Sequence, residues 1–230
     1  PAAIESVIQP DPVAGKMDMS ITGIMKESRA LGARLELRRT ISGTLGAAGI
    51  HIHDEVSNKG NTSAPHMLLY HCNFGWPLAD EGARLVWNGA WQARDAGAVI
   101  FTPQNDFRKC PAPLEAHNGG GEEAAFIDIA ADHNGECVCG LYNEQIGIAV
   151  SIRFLKKQLP WLTNWQHWGR GEYVTGLEPG THPPVGQAKA RTEGTLIELA
   201  PGETRSYDLH FEVLYREAQI RDFLNTHNNS

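Results

Sequence analysis

Apolar residues recur at every second position along much of this chain, and that spacing constrains its fold more than any other feature. Leu31, Ala33, Leu35 and Leu37 alternate with Arg34, Glu36 and Arg38. Ile148, Val150, Ile152 and Phe154 alternate with Ala149, Ser151 and Arg153, and Tyr207, Leu209, Phe211 and Val213 alternate with Asp208, His210 and Glu212. A period of two puts one set of side chains on a buried sheet face and the other in water. Weaker versions predict strands near Met17–Lys26, Gly49–Asn58, Pro65–Phe74, Ala124–Ala131, Cys137–Asn143, Glu172–Glu178 and Thr192–Leu199. Helical spacing is confined to Tyr215–Thr226, where Ile220, Phe223 and Leu224 share a stripe, and to a short turn at Phe154–Gln158 ahead of Pro160. Gly 24 and Pro 13 suit many short segments joined by turns such as Asn58-Lys59-Gly60-Asn61. The expectation is an all-β chain, a large antiparallel β-sandwich with a short C-terminal helix, forming one domain over residues 1–230. Thr102–Gly121 and Gly180–Arg191 are expected as long loops on that scaffold.

Charge and composition exclude several functions. Lys+Arg 20 against Asp+Glu 27 gives a net charge of −7, the wrong sign for a phosphate-backbone footprint, so no nucleic-acid partner is expected. The longest apolar runs, Met67–Tyr70 and Ala96–Phe101, fall far short of the ~18 residues that cross a bilayer, so no membrane partner is expected either. Pro1–Gln9 has neither the basic start nor the apolar stretch of a secretory signal. Cys72, Cys110, Cys137 and Cys139 are too few for a disulfide scaffold of this length. Reduced cysteines point to a cytoplasmic setting. Cys137 and Cys139 share a strand face, but two thiols do not complete a tetrahedral zinc site.

Three stretches carry chemistry. In Pro65–Leu78 the strand period sets His71 beside Asn73, with Trp76 just past the end of the strand. An imidazole, an amide and an indole so gathered suit a sugar, whose hydroxyls meet the polar groups and whose C–H face meets the ring. A histidine satisfied by hydrogen bonds in a core is the alternative. In Glu172–Gly180, Gly176 removes side-chain bulk beside Glu178, as close approach of a ligand or another backbone requires. Just upstream, Trp161–Trp168 holds three of the six tryptophans; such aromatic density beside a carboxylate suggests a sugar cleft, with core tryptophans and a surface glutamate as the alternative. His51 and His53, extended by Glu55, share a strand face that a metal could use, or that simply faces solvent. Glu115 and His117 lie in the long loop and could reach a cleft over the sheet.

At Leu68–Leu78 (LLYHCNFGWPL), Leu159–Trp165 (LPWLTNW), Tyr173–Thr181 (YVTGLEPGT) and Glu193–Glu203 (EGTLIELAPGE) the chain resembles the aldose 1-epimerase, or galactose mutarotase-like, superfamily in its less characterised branch. The resemblance implies a β-supersandwich with sugar on the concave face of one sheet. It implies His71, in a His-x-Asn-style strand motif, as general acid and Glu178 as general base, with Glu115 and His117 as candidate substrate contacts and Trp165 near the site; Asn73 and Trp76 are expected substrate contacts from the reading of Pro65–Leu78 above. Relatives carry a further stretch of sandwich, including a Leu-His-Gly-Arg-like segment, ahead of the point where Pro1 stands, so the chain is expected to be N-terminally incomplete relative to the family. Thr181-His182 and Gln187 depart from the residues usual there.

The implied reaction interconverts the α and β anomers of a small-molecule sugar by acid and base catalysis, with neither metal nor organic cofactor. A non-catalytic carbohydrate-binding protein or sugar sensor on the same fold is one alternative. A metal-dependent sugar isomerase or lyase using His51, His53 and Glu55 is another. The sequence leaves the sugar and the subunit number open, a homodimer included.

Overall fold

The structure is a computed structural model, and it describes residues 2–225. Strands come in chain order as β1 (Ala3–Ile8), β2 (Asp18–Ser28), β3 (Arg34–Thr44), β4 (Gly49–Asn58), β5 (Ala64–His66), β6 (Cys72–Phe74), β7 (Arg84–Val86) and β8 (Gly89–Ala93). There follow β9 (Glu123–Ile129), β10 (Glu136–Asn143), β11 (Ile148–Leu155), β12 (Trp161–Gly169) and β13 (Glu172–Gly180). Helix α1 (Gln187–Thr192), β14 (Ile197–Leu199), β15 (Thr204–Leu214) and helix α2 (Glu217–Asn225) complete the chain. Every pairing within the two units below is antiparallel, as short turns between successive strands require.

The chain gathers into two compact units, Pro1–Leu68 with Val185–Glu212, and Leu69–Pro184 with Val213–Ser230. In the first, β1, β2, β3, β4 and β15 pair in that order, and β14 pairs with β5. One face of this sheet carries Leu37, Ile41, Ile52, Val56 and Leu209, and the other carries Glu36, Arg38, His51, His53 and Asp208. Among the apolar residues stands Asp54, fully buried and held by Arg39 across the β3–β4 pair, with Nε to Oδ1 at 2.8 Å and Nη2 to Oδ2 at 2.6 Å. A buried carboxylate requires such a partner.

In the second unit, β6, β13, β12, β9 and β8 form a five-stranded sheet, and β11, β10 and β7 pair in that order. Its core holds Ile127, Cys137, Cys139, Leu141, Ile152, Leu162, Trp168 and Leu177, all essentially without exposure. All four cysteines are thiols. Burial pushes Cys137 up to about 11, which keeps it an inert core residue. Among the described residues no helix is long and apolar enough to cross a membrane.

Most predicted strands stand where the period of two put them, and Gly49–Asn58 does so to the residue. The segment Pro65–Phe74 does not form one strand. Its start, β5, pairs with β14 and its end, β6, pairs with β13, so the two ends serve different sheets and the chain between them is irregular. The expected loop Gly180–Arg191 contains most of α1, and Trp161–Gly169 is a strand of nine residues. Thr226, the last residue of the predicted C-terminal helix, lies outside the described residues, as does Pro1.

Candidate active site

Four strands of the second unit present one transverse row of side chains. Asn73 on β6 stands opposite Gly176 on β13, Gly176 opposite Trp165 on β12, and Trp165 opposite Ala124 on β9. Glu178, two residues along β13, shares that face because strand side chains alternate. The absence of a side chain at Gly176 lets the Glu178 carboxyl fold back into the row between Asn73 and Trp165.

His71 reaches the row from just before β6. Its Nδ1 donates to Asn73 Oδ1 at 2.8 Å, which fixes the ring and leaves Nε2 facing Glu178. Nε2 lies 2.9 Å from Glu178 Oε1. The approach misses the angles of a hydrogen bond, so Oε1 is a buried oxygen still lacking a donor. A lone pair on Nε2 facing a carboxylate would repel it. A proton on either group removes that repulsion. Glu178 is 3% exposed and His71 50%, so one member is desolvated and the other open to a ligand. Burial pushes Glu178 up to about 7, partly offset by the His71 imidazole and reinforced by Glu122.

Trp165 sets its ring at 62° to that of His71, with centroids 5.7 Å apart. Its indole N–H donates to Glu122, whose other oxygen accepts from Arg94 Nη1 at 2.7 Å. These hydrogen bonds, that from Arg94 first, hold Glu122 below the usual carboxylate range. Glu122 and Arg94 thus join the site although no motif marked them. Glu122 stands just ahead of β9, directly after Gly119–Gly121, and the pairing of β9 with β12 brings it to the indole.

Of the expected site residues, His71, Asn73, Glu178 and Trp165 come together. Trp76, 79% exposed, lines an open hollow that also has Trp165 as a wall. His117 is buried, and its Nδ1 accepts from the Trp168 backbone N–H at 2.9 Å. Burial holds the His117 imidazole below its usual range. It stacks on His167, which in turn stacks on Trp165. Glu115 is exposed and accepts from Asn118 at 2.9 Å. In the first unit, His51 and His53 share Asp208 Oδ1, at 3.0 and 2.7 Å, whereas Glu55 is held by Arg38. Among the described residues no group of three or more histidine, cysteine, aspartate or glutamate side chains is arranged to hold a metal ion.

The model of a family described as a domain of unknown function, DUF4432, matches residues 1–213. The chain belongs to the DUF4432 family. No curated protein matches it at a significant level. Among solved structures the DUF4432 chain is similar to a candidate aldose 1-epimerase from Klebsiella pneumoniae, at 26% identity and a TM-score of 0.83, over 92% of this chain and 54% of that one. It is similar to a candidate aldose 1-epimerase from Escherichia coli K12, at 17% identity and a TM-score of 0.61, over 92% and 68% of the two chains. It is also similar to a galactose mutarotase-like protein from Clostridium acetobutylicum, at 12% identity and a TM-score of 0.63, over 94% and 67%. The DUF4432 chain therefore has the antiparallel galactose mutarotase-like β-sandwich fold, and it spans about half the length of the Klebsiella protein.

Proposed function

We propose that this DUF4432 chain is an aldose 1-epimerase-like carbohydrate enzyme that interconverts sugar anomers by general acid and base catalysis. The observation that carries the reading is the 2.9 Å approach of a half-exposed imidazole to a buried carboxylate whose affinity for protons burial has raised. Glu178 as carboxylate takes the proton from the anomeric hydroxyl, and His71 as imidazolium gives one to the ring oxygen. The C1–O5 bond breaks, C1 becomes an aldehyde carbon, and rotation about C1–C2 presents its other face. Closure reverses both transfers and restores both groups.

Both reacting oxygens are bonded to C1, so an acid and a base standing side by side suit the two transfers. A base with pKa near 7 is matched to neutral pH, because it is both available and strong enough there. Each positioned group contributes roughly 10²–10⁴-fold. Nδ1 of His71 is held by Asn73, so Nε2 is the atom that moves the proton. Trp165 supplies an aromatic wall, and with all four cysteines as thiols the reading puts the chain in the cytoplasm.

Polarimetry on freshly dissolved α-glucose and α-galactose tests it. Glu178→Gln and His71→Asn are each expected to lower kcat about 100-fold or more, while calorimetric sugar affinity stays within a few-fold. Sugar binding without faster mutarotation would make the chain a carbohydrate-binding protein instead.

A further inference from the structure

Arg94 directly follows β8, and the pairing of β8 with β9 brings it beside Glu122. Its Nη1 donates to Glu122 Oε1 at 2.7 Å, its Nε donates to Asp95 Oδ2 at 2.8 Å, and its backbone N–H donates to Ala124 O at 2.8 Å. Main chain and side chain are both fixed. The pairing shows in both partners: Glu122 is held below the usual carboxylate range and Arg94 above its own, with their mutual hydrogen bond the largest cause of each. We propose that Arg94 is a positioning residue for the acid–base pair, acting through Glu122 and the Trp165 ring. This rests on the reading of His71 and Glu178 as that acid and base.

The route runs through direct contacts. The second oxygen of Glu122 accepts the Trp165 indole N–H, so the anchored carboxylate fixes the rotation of that ring. His71 meets the ring edgewise, and Asn73 already holds its Nδ1, so the indole is a surface on which the imidazole rests while Nε2 faces Glu178. The residue before Glu122 secures a neighbour of the same ring. Gly121 O accepts from His167 Nδ1 at 2.6 Å, and His167 stacks on Trp165 with the planes 9° apart. Gly121 has a φ of +87°, and a Cβ there would collide with Ala116 O, so this corner requires glycine.

A second effect is electrostatic. The charge of Glu122 raises the affinity of Glu178 for protons, and the opposite charge of Arg94 offsets it. Removing Arg94 leaves the Glu122 charge uncompensated, so Glu178 keeps its proton to higher pH. Removing Glu122 does the reverse. Merely loosening the fold would not displace one titration in opposite directions from the two ends of a single ion pair.

The test uses Arg94→Gln and Arg94→Lys in the full chain, read by mutarotation of glucose across pH and by carbon-detected NMR of the Glu178 carboxyl. Arg94→Gln is expected to lower kcat about tenfold, to leave KM within about threefold of wild type, and to raise the Glu178 titration midpoint by about 0.5 on the pH scale. Arg94→Lys keeps the charge but not the forked donor, and is expected to hold the midpoint and recover part of the rate. An unmoved midpoint in Arg94→Gln, an equal move in Arg94→Lys, or a loss confined to KM overturns the proposal. The NMR midpoint needs no turnover. Should the wild-type chain fail to accelerate mutarotation, the epimerase reading falls, and the midpoint alone decides whether Arg94 governs the pair. Should Arg94→Gln not fold, Glu122→Gln decides on the same readout: a lower midpoint upholds the proposal and an unmoved one overturns it.

Discussion

Gly176 lies under the Glu178 carboxyl, so close that a Cβ added at Gly176 would meet Oε1 at 2.5 Å. The obstructed atom is the far end of a side chain, so Gly176→Ala displaces the carboxylate rather than the strand. Mutarotation is expected to fall about tenfold or more, since a displacement of the order of 1 Å at a reacting group has cost about 10²-fold elsewhere. Far-ultraviolet circular dichroism should stay unchanged. Wild-type rates in this variant would mean that the carboxylate position seen here is not the one that reacts.

Glu178 also makes stability depend on pH. Its pKa rises from 4.5 in the unfolded chain to about 7 in the folded one, so over that interval the folded chain keeps a proton that the unfolded chain has released. Stability from this group is therefore complete below pH 4.5 and lost as pH rises through about 7. Glu178→Gln has no such loss. It is expected to match the wild type near pH 4.5 and to exceed it at pH 8, by up to about 3 kcal/mol. Thermal melts across that range check the divergence, and parallel curves would refute it.

The same group shapes the rate profile. As a base it must be ionised, so kcat/KM is expected to climb as pH rises through about 7. The negative charge of Glu122 contributes to that elevation. Glu122→Gln is therefore expected to move the climbing limb to lower pH and, by loosening the Trp165 indole, to shift the protein's tryptophan fluorescence. A limb that stays in place would detach Glu122 from the electrostatics of Glu178.

In the first unit, Asp54→Ala removes the buried acceptor of two Arg39 hydrogen bonds. Bonds to charged groups are worth about 1.5–3 kcal/mol each, and Arg39 recovers some water contact, so a loss of about 2 kcal/mol is expected. Urea titration measures it as a lower midpoint with an unchanged slope.

The strands that sequence reveals are those whose inward positions are all apolar, such as β9 with Ala125, Ile127 and Ile129 buried. Strand β12 escapes that reading because its inward positions include Asn164 and Gln166. Those amides satisfy one another and their surroundings. Gln166 Nε2 donates to Asn164 Oδ1 and to Phe107 O, Asn164 Nδ2 donates to Gly176 O, and Trp168 Nε1 donates to Gln166 Oε1. Strands β7 and β8, of three and five residues, are too short to show a period. The neighbourhood of His71, Asn73, Glu178 and Trp165 was legible through family resemblance and local spacing. Glu122 and Arg94 were not, because their place depends on which strands become neighbours, and local alternation does not encode that.

The row Asn73, Gly176, Trp165, Ala124 has a consequence for how this sheet can change over evolutionary time. Sliding β13 by a single position against its neighbours would turn Glu178 to the opposite side of the sheet and bring a bulkier residue into the gap that Gly176 leaves. Insertions or deletions inside these strands should therefore be penalised through chemistry even where packing could absorb them, so length variation is expected to collect in the connecting turns.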